Sequence, residues 1–262
     1  MSPSLREYLS FTTELAYQAG RLTLGYFQTT LRPEIKSDGS PVTIADRKAE
    51  ELIRNAIESR FPQHAIVGEE FGEASASHAS HRWIIDPIDG TKSFIHGVPL
   101  YGVLIGLEIE GRVEVGAAYF PALDEMIAAA TGEGCWWNGR LAHMSTVEHL
   151  EEAVVCFTEL RNFSAKEREP ILTRLSNRVK HAVAWSDAYG YLLVATGRAE
   201  VMLDPLMHEW DCGPFPPIFR ELGGYFGDWK GNQTIYEDEA LATTQPLLPE
   251  ILALLNGTNP YS

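Results

Sequence analysis

The stretch WIIDPIDGTKSF, residues 83–94, ends an apolar run in two aspartates, Asp86 and Asp89, separated by Pro87 and Ile88. A buried strand with this ending carries two carboxylates to its mouth. Close anions repel, and one stays protonated unless a positive charge lies between them. Hard oxygen donors without histidine or cysteine suit Mg²⁺ better than zinc or copper. Gly90 lets a ligand approach the backbone. If Gly90, Thr91 and Lys92 open a helix, their free N–H groups point at an anion. The Thr91 hydroxyl could then orient an attacking water. The same spacing also fits a turn or a helix cap, so the stretch alone leaves both readings open.

Working outward, the segment RWIID is read as a short strand, and HAIVGEEFGE before it as another that ends in Glu69 and Glu70. Residues 76–81 are polar and are expected to be exposed. PLYGVLIGLEIEGRVEVGAAYFP reads as two longer strands joined at Glu110–Gly111, and the β-rich DEMIAAATGEGCWWNGR carries a turn signal at Asn138–Gly139. Upstream, residues 4–28 have apolar positions at helical spacing. A second helix is expected to start at Thr43 as N-cap, with Asp46 in its first turn.

After about residue 145, EEAVVCFT, HAVAWS and AEVMLD read as short strands that alternate with helical stretches near 164–178, 187–197 and 211–222. The expectation is an α+β lobe over 1–144 and an α/β lobe over 145–262, acting as one catalytic unit with a cleft between them.

The 262 residues suffice for one large domain or two modest lobes. A net charge of −15 with no basic stripe argues against nucleic acid and suits a divalent metal or a small neutral or cationic ligand. No apolar run is long enough for a membrane span, and MSPSLREYLSF lacks the pattern of a signal peptide, so a cytoplasmic location is expected. Cys135, Cys156 and Cys212 form neither a disulfide framework nor a zinc motif.

The acidic residues of interest are Glu69, Glu70, Asp86, Asp89 and Asp211, with Asp46 as a further contributor. Several carboxylates can hold two metals about 3.5–4 Å apart, polarise a phosphate and lower the pKa of a bound water. Each residue also has a plainer reading: a Glu-Glu pair as solvated surface, Asp46 as a first-turn charge.

DPIDGTKSF, with VGEE and KSDGSPVTIAD upstream and ATGRAEVMLDPLMHEWD and ELGG downstream, resembles the inositol monophosphatase family of Mg²⁺-dependent, lithium-sensitive phosphatases over nearly the whole chain. The resemblance implies the layered αβαβα sandwich of the sugar phosphatases, a homodimer, and two or three Mg²⁺ per subunit. It implies that Glu69, Asp86 and the Ile88 carbonyl bind a first metal, and that Asp86, Asp89 and Asp211 bind a second. Thr91 and Glu69 would activate water. Asp46 would support Thr91 or help hold a third Mg²⁺. Gly90 and Thr91 would bind the phosphate, and Lys36 would lie near the metals.

Lys92–Ser93–Phe94 and SDAYGYLLVATGRAEVMLDP are more similar to the histidinol-phosphate phosphatases of this superfamily, which implies a small phosphorylated substrate in histidine biosynthesis. By position, Asp187 and Asp204 would face the leaving alcohol, with Glu209 near it. Carboxylates there suit the ammonium and imidazole of histidinol, whereas inositol offers only hydroxyls. Asp187 is equally readable as the cap of the helix that follows it. Inositol or another sugar phosphate is the alternative substrate, and a non-catalytic regulatory protein the rival class. One departure is the run WDCGPFPPIFRELGG, where Pro214, Pro216 and Pro217 imply a helix after Asp211 that starts late or kinks. His96 and His208 are read as structural or pocket-lining, and Cys212 as a buried small hydrophobe.

Overall fold

The computed structural model describes residues 3–37, 39–74, 79–185 and 187–257. Asp38 and part of the polar segment 76–81 lie outside the described residues. Helix α1 (Leu5–Leu24) begins at a reciprocal cap between Ser4 and Glu7. It ends earlier than the apolar spacing suggests, at Leu24 with Gly25 as C-cap, and the chain then turns through Gln28 at φ 57° while Phe27 packs on Phe94 and Tyr101. A ribbon of β1 (Glu34–Ile35) and β2 (Pro41–Val42) leads to α2 (Ile44–Arg60), capped by Thr43 as expected.

The strands β3 (Ala65–Gly68), β4 (Gly72–Ala74) and β5 (His81–Asp89) precede the short helix α3 (Thr91–Ile95). Strand β5 is longer than RWIID. Its pairing with β6 (Gly102–Ile109) is irregular between Asp86 and Asp89, at the proline that has no N–H for the ladder. β6 turns into β7 (Arg112–Phe120) through Glu110 at φ 51° and Gly111 at φ 81°, as the Glu-Gly signal predicts. β8 (Glu125–Ala130), β9 (Cys135–Trp137) and β10 (Arg140–Leu141) complete an eight-stranded sheet of order β10-β9-β8-β7-β6-β5-β3-β4.

The second sheet has five strands, ordered β12-β11-β13-β15-β14. Its elements are β11 (Val154–Phe157), α4 (Leu160–Ala165), α5 (Glu169–Ser176), β12 (His181–Val183), α6 (Ala188–Ala195), β13 (Val201–Asp204), α7 (Glu209–Cys212), α8 (Phe215–Glu221), β14 (Tyr225–Gly227), β15 (Ala240–Thr243) and α9 (Leu248–Leu255). The helical stretch near 164–178 is two helices. Glu167 at φ 56° interrupts it, and Pro170 opens the second helix. The stretch near 211–222 is also two. The chain breaks at Gly213–Pro214, so Pro216 and Pro217 fall in the tolerant first turn of α8 and Asp211 stays in α7.

Alternation along the strands builds the layers. Trp83, Ile85 and Ile105 face α1 and α2, while Ile84 and Leu104 face α6 and α8. Cys156 and Met202 cover those helices from the other side, and Val155 and Leu203 face α5 and α9. The result is an αβαβα sandwich. The middle layer sits close: a Cβ on Gly106 would meet the Gly213 carbonyl at 2.3 Å, and one on Gly116 the Pro214 carbonyl at 2.1 Å. Glycine in β6 and β7 therefore lets the α7–α8 segment lie directly on the sheet.

Candidate active site

A cleft of about 150 Å³ is lined by Glu69, Asp86, Ile88, Asp89, Gly90, Thr91, Lys92, Asp187, Asp204 and Asp211. Strand β5 supplies Asp86 and Asp89, and α7 supplies Asp211. One oxygen from each of these three lies within 4.8 Å of the others. Each carboxylate is oriented by a backbone N–H. Ile88 donates to Asp86 at 2.9 Å, Ala188 to Asp89 at 2.7 Å, and His208 to Asp211 at 2.8 Å.

Burial, with the charges of Glu69, Asp89 and Asp211, holds the Asp86 carboxyl well above the ordinary carboxylate range. Burial, Asp187 and Asp211 do the same to Asp89. Asp211 is pushed up to about 7 by burial, against the pull of its His208 hydrogen bond and with Glu69 and Asp187 adding repulsion. None of the three is ion-paired to lysine or arginine among the described residues. An all-oxygen set of mutually repelling carboxylates without a counter-charge fits a divalent cation.

The flanking residues differ in what they hold. Glu69 lines the cleft and accepts from Lys36 Nζ at 2.9 Å. Glu70 turns inward to the same ammonium at 2.6 Å, and its burial, beside Glu69, pushes it up to about 7 despite Lys36. The Glu70 amide donates to Glu50 at 2.8 Å, and Glu50 is itself paired with Arg54 at 2.7 Å. That buried pair anchors the Glu69–Glu70 turn, and the sequence reading missed it. Asp46 is buried, accepts from the Thr43 hydroxyl and amide, and lies 3.5 Å from the Thr91 hydroxyl. Thr91 also reaches the Ile88 carbonyl at 3.2 Å.

Asp204 is buried and accepts from the Thr158 hydroxyl at 3.1 Å. Burial, with Asp187 and Asp211, raises its proton affinity strongly. Asp187 precedes α6 but makes no side-chain cap to it. The Ala188 amide goes to Asp89 instead, so the capping alternative is not the arrangement found. Lys92 pairs with Glu159 at 2.6 Å at the mouth of the cleft. Glu209 is not among the cleft-lining residues: both its oxygens accept from Arg82, at 2.8 and 2.7 Å. This corrects its expected place near the alcohol, because the cation on β5 draws the side chain the other way. The His96 ring bonds the Lys92 carbonyl, His208 packs on Trp210, and Cys212 is buried.

The fold is that of a phosphoric monoester hydrolase, and this cleft is its candidate active site. The chain belongs to the inositol monophosphatase family, whose pattern matches residues 4–257. It is 43% identical to a histidinol-phosphatase of Chlorobaculum parvum, over 95% of this chain and 97% of that protein. It is 34% identical to a histidinol-phosphatase of Mycobacterium tuberculosis, over 95% and 98%. Among solved structures, the extragenic suppressor protein suhB of Bartonella henselae superposes with a TM-score of 0.88 at 27% identity, covering 96% of this chain and 98% of that one.

Proposed function

We infer that this chain hydrolyses L-histidinol phosphate to L-histidinol and phosphate at the carboxylate cleft. The observation that carries the reading is that Asp187 and Asp204 line the same cleft as Asp86, Asp89 and Asp211. Asp204 is buried against Asp187 and Asp211, and its raised proton affinity marks a carboxylate short of positive charge. The ammonium and imidazole of histidinol supply that charge, and inositol does not. The 43% identity to a histidinol-phosphatase supports the same choice.

Glu69, Asp86, Asp89, Asp211 and the Ile88 carbonyl would hold Mg²⁺, two or three ions per subunit on the family reading. When bound there, Mg²⁺ would supply Lewis-acid polarisation of the phosphoryl group and a lowered pKa for bound water. The protein's own groups do the rest. Lys36 donates to Glu69 and fixes that side chain at the cleft wall. Thr91, between Asp46 and the Ile88 carbonyl, orients water, and the Gly90 and Thr91 amides face the phosphate. The same reading includes a homodimer, lithium inhibition and a cytoplasmic place in histidine biosynthesis, with the chain as two lobes, 1–144 and 145–262, around one site.

The test is phosphate release from L-histidinol phosphate and from myo-inositol 1-phosphate, side by side, with and without Mg²⁺. A charge-assisted contact contributes about 1.5–3 kcal/mol, so Mg²⁺-dependent kcat/KM should favour histidinol phosphate by about tenfold to a hundredfold. A preference for the inositol ester discards the roles of Asp187 and Asp204 and keeps the phosphatase. No release from either ester overturns the reading.

A further inference from the structure

Arg82 has no role in the sequence reading, yet it stands at a junction of the fold. Its Nη2 donates to both oxygens of Glu209, and its Nη1 donates to Glu108 at 3.3 Å. Glu108 accepts in turn from the Tyr236 hydroxyl at 2.7 Å. These charges are largely sheltered: the Arg82, Glu209 and Glu108 side chains are 23%, 22% and 9% exposed. A sheltered, charge-assisted contact of this kind is strong and directional.

Its position gives it a consequence. Arg82 is near the start of β5, whose far end carries Asp86 and Asp89. Glu209 is the first residue of α7, and Asp211 follows two positions later. One ion pair therefore ties the strand that bears two carboxylates to the helix that bears the third. Helix α7 has only four residues, too few to hold its own shape. Its C-terminal side rests on Gly106 and Gly116 through Gly213 and Pro214. Its N-terminal side is held by Arg82.

The geometry points to Arg82 as a positioning residue that acts through Glu209 to hold Asp211 at cation-binding distance from Asp86 and Asp89. This rests on the reading of that trio as the cation site. Partners that orient ligands in this way typically set metal affinity by 10–100-fold. A pair that served only the fold would lower the melting temperature and leave the affinity of the folded protein unchanged.

The experiment is titration of substrate-free protein with Mn²⁺, a paramagnetic divalent cation suited to oxygen donors, read by electron paramagnetic resonance. Arg82→Lys, Glu209→Gln and Asp211→Asn are compared with the parent. Arg82→Lys and Glu209→Gln are each expected to weaken Mn²⁺ binding by about tenfold or more, with KM for substrate at saturating Mn²⁺ within about twofold of the parent. Parent-like Mn²⁺ affinity in Arg82→Lys and Glu209→Gln overturns the assignment. If Glu209→Gln does not fold, Arg82→Lys, which keeps the charge, decides alone. Asp211→Asn separates the two layers. Parent-like binding in that variant fails the cation-site reading itself, whereas lost binding there with parent-like binding in the other two fails only the role of Arg82.

Discussion

Tyr191 places a fully buried hydroxyl one turn into α6, and that hydroxyl has no hydrogen-bond partner among the described residues. Its ring stacks on Phe215 at 4.6 Å and meets Phe226 edge-on, so the aromatic body is well used and only the oxygen is not. Burial, with the charges of Asp204, Cys212, Asp211 and Asp89, raises its pKa, which keeps the group a neutral donor. An unsatisfied buried hydroxyl costs about 1–3 kcal/mol, and 1 kcal/mol moves the melting point of a chain this size by about 2–4 °C. Tyr191→Phe keeps the ring packing and is expected to raise the melting temperature without added metal by about 2–12 °C. A fall on calorimetry would mean that the hydroxyl is satisfied in solution, for instance by a bound water.

At the scale of elements, the decisive contact is backbone on backbone, where α7–α8 lies on β6 and β7. Alanine at Gly106 would drive its Cβ against the Gly213 carbonyl, and neither partner is a flexible side chain. Gly106→Ala is expected to cost about 1–3 kcal/mol in urea unfolding and to raise the Mg²⁺ concentration needed for half-maximal activity, because α7 carries Asp211. Unchanged values in both measurements would show that the segment can retreat without moving the carboxylate. This contact was not legible in the sequence, where a glycine inside a strand reads only as weakness. The helices capped by Ser4 and Thr43 and the hairpin at Glu110–Gly111 were easier, since cap, period and turn all lie within a few residues. The break at Glu167 was missed because it interrupts an apolar pattern that otherwise continues, whereas the prolines after Asp211 announced a helix that starts late or kinks. The site divides in the same way. Asp86 and Asp89 announce themselves by local spacing, while Asp211 stood out only as one more acidic residue and its partnership with them came through resemblance. Arg82, which meets Glu209 across 127 positions, and the Glu50–Arg54 anchor left no local sign of their role.

For the whole molecule, the concentration of buried carboxylates sets how stability responds to pH. Without a cation, Asp86, Asp89 and Asp204 hold protons far above 3.8, and Asp211 and Glu70 titrate near 7. The folded state then binds more protons than the unfolded chain, so stability falls as pH rises through the window that ends above these values. His64 works the other way. Burial, with His81 beside it, depresses it to about 4, so it adds stability as pH rises from about 4 to 6.5 and nothing beyond. Above pH 6.5 the carboxylates dominate, and the buried thiols, whose pKa values burial also raises, add to the same trend at the alkaline end. The melting temperature in a chelator is therefore expected to drop between pH 6.5 and 8.5, and saturating Mg²⁺ should shrink the drop by replacing the protons on Asp86, Asp89 and Asp211. A melting temperature that stays level over that range in chelator would mean that the cluster ionises as ordinary carboxylates do.

The length of chain enclosed by the site has a bearing on the protein's birth. The Ala188 amide reaches Asp89 across 99 positions, and Arg82 finds Glu209 only later still. Chains emerge from the ribosome N-terminus first, at about 5–20 residues per second. For several seconds the emerging polypeptide carries Asp86 and Asp89 but neither Asp211 nor the walls of a cleft. On the proposed reading, the three-carboxylate cluster is complete only after translation has passed Asp211, so a fragment that ends before that residue lacks one of the three.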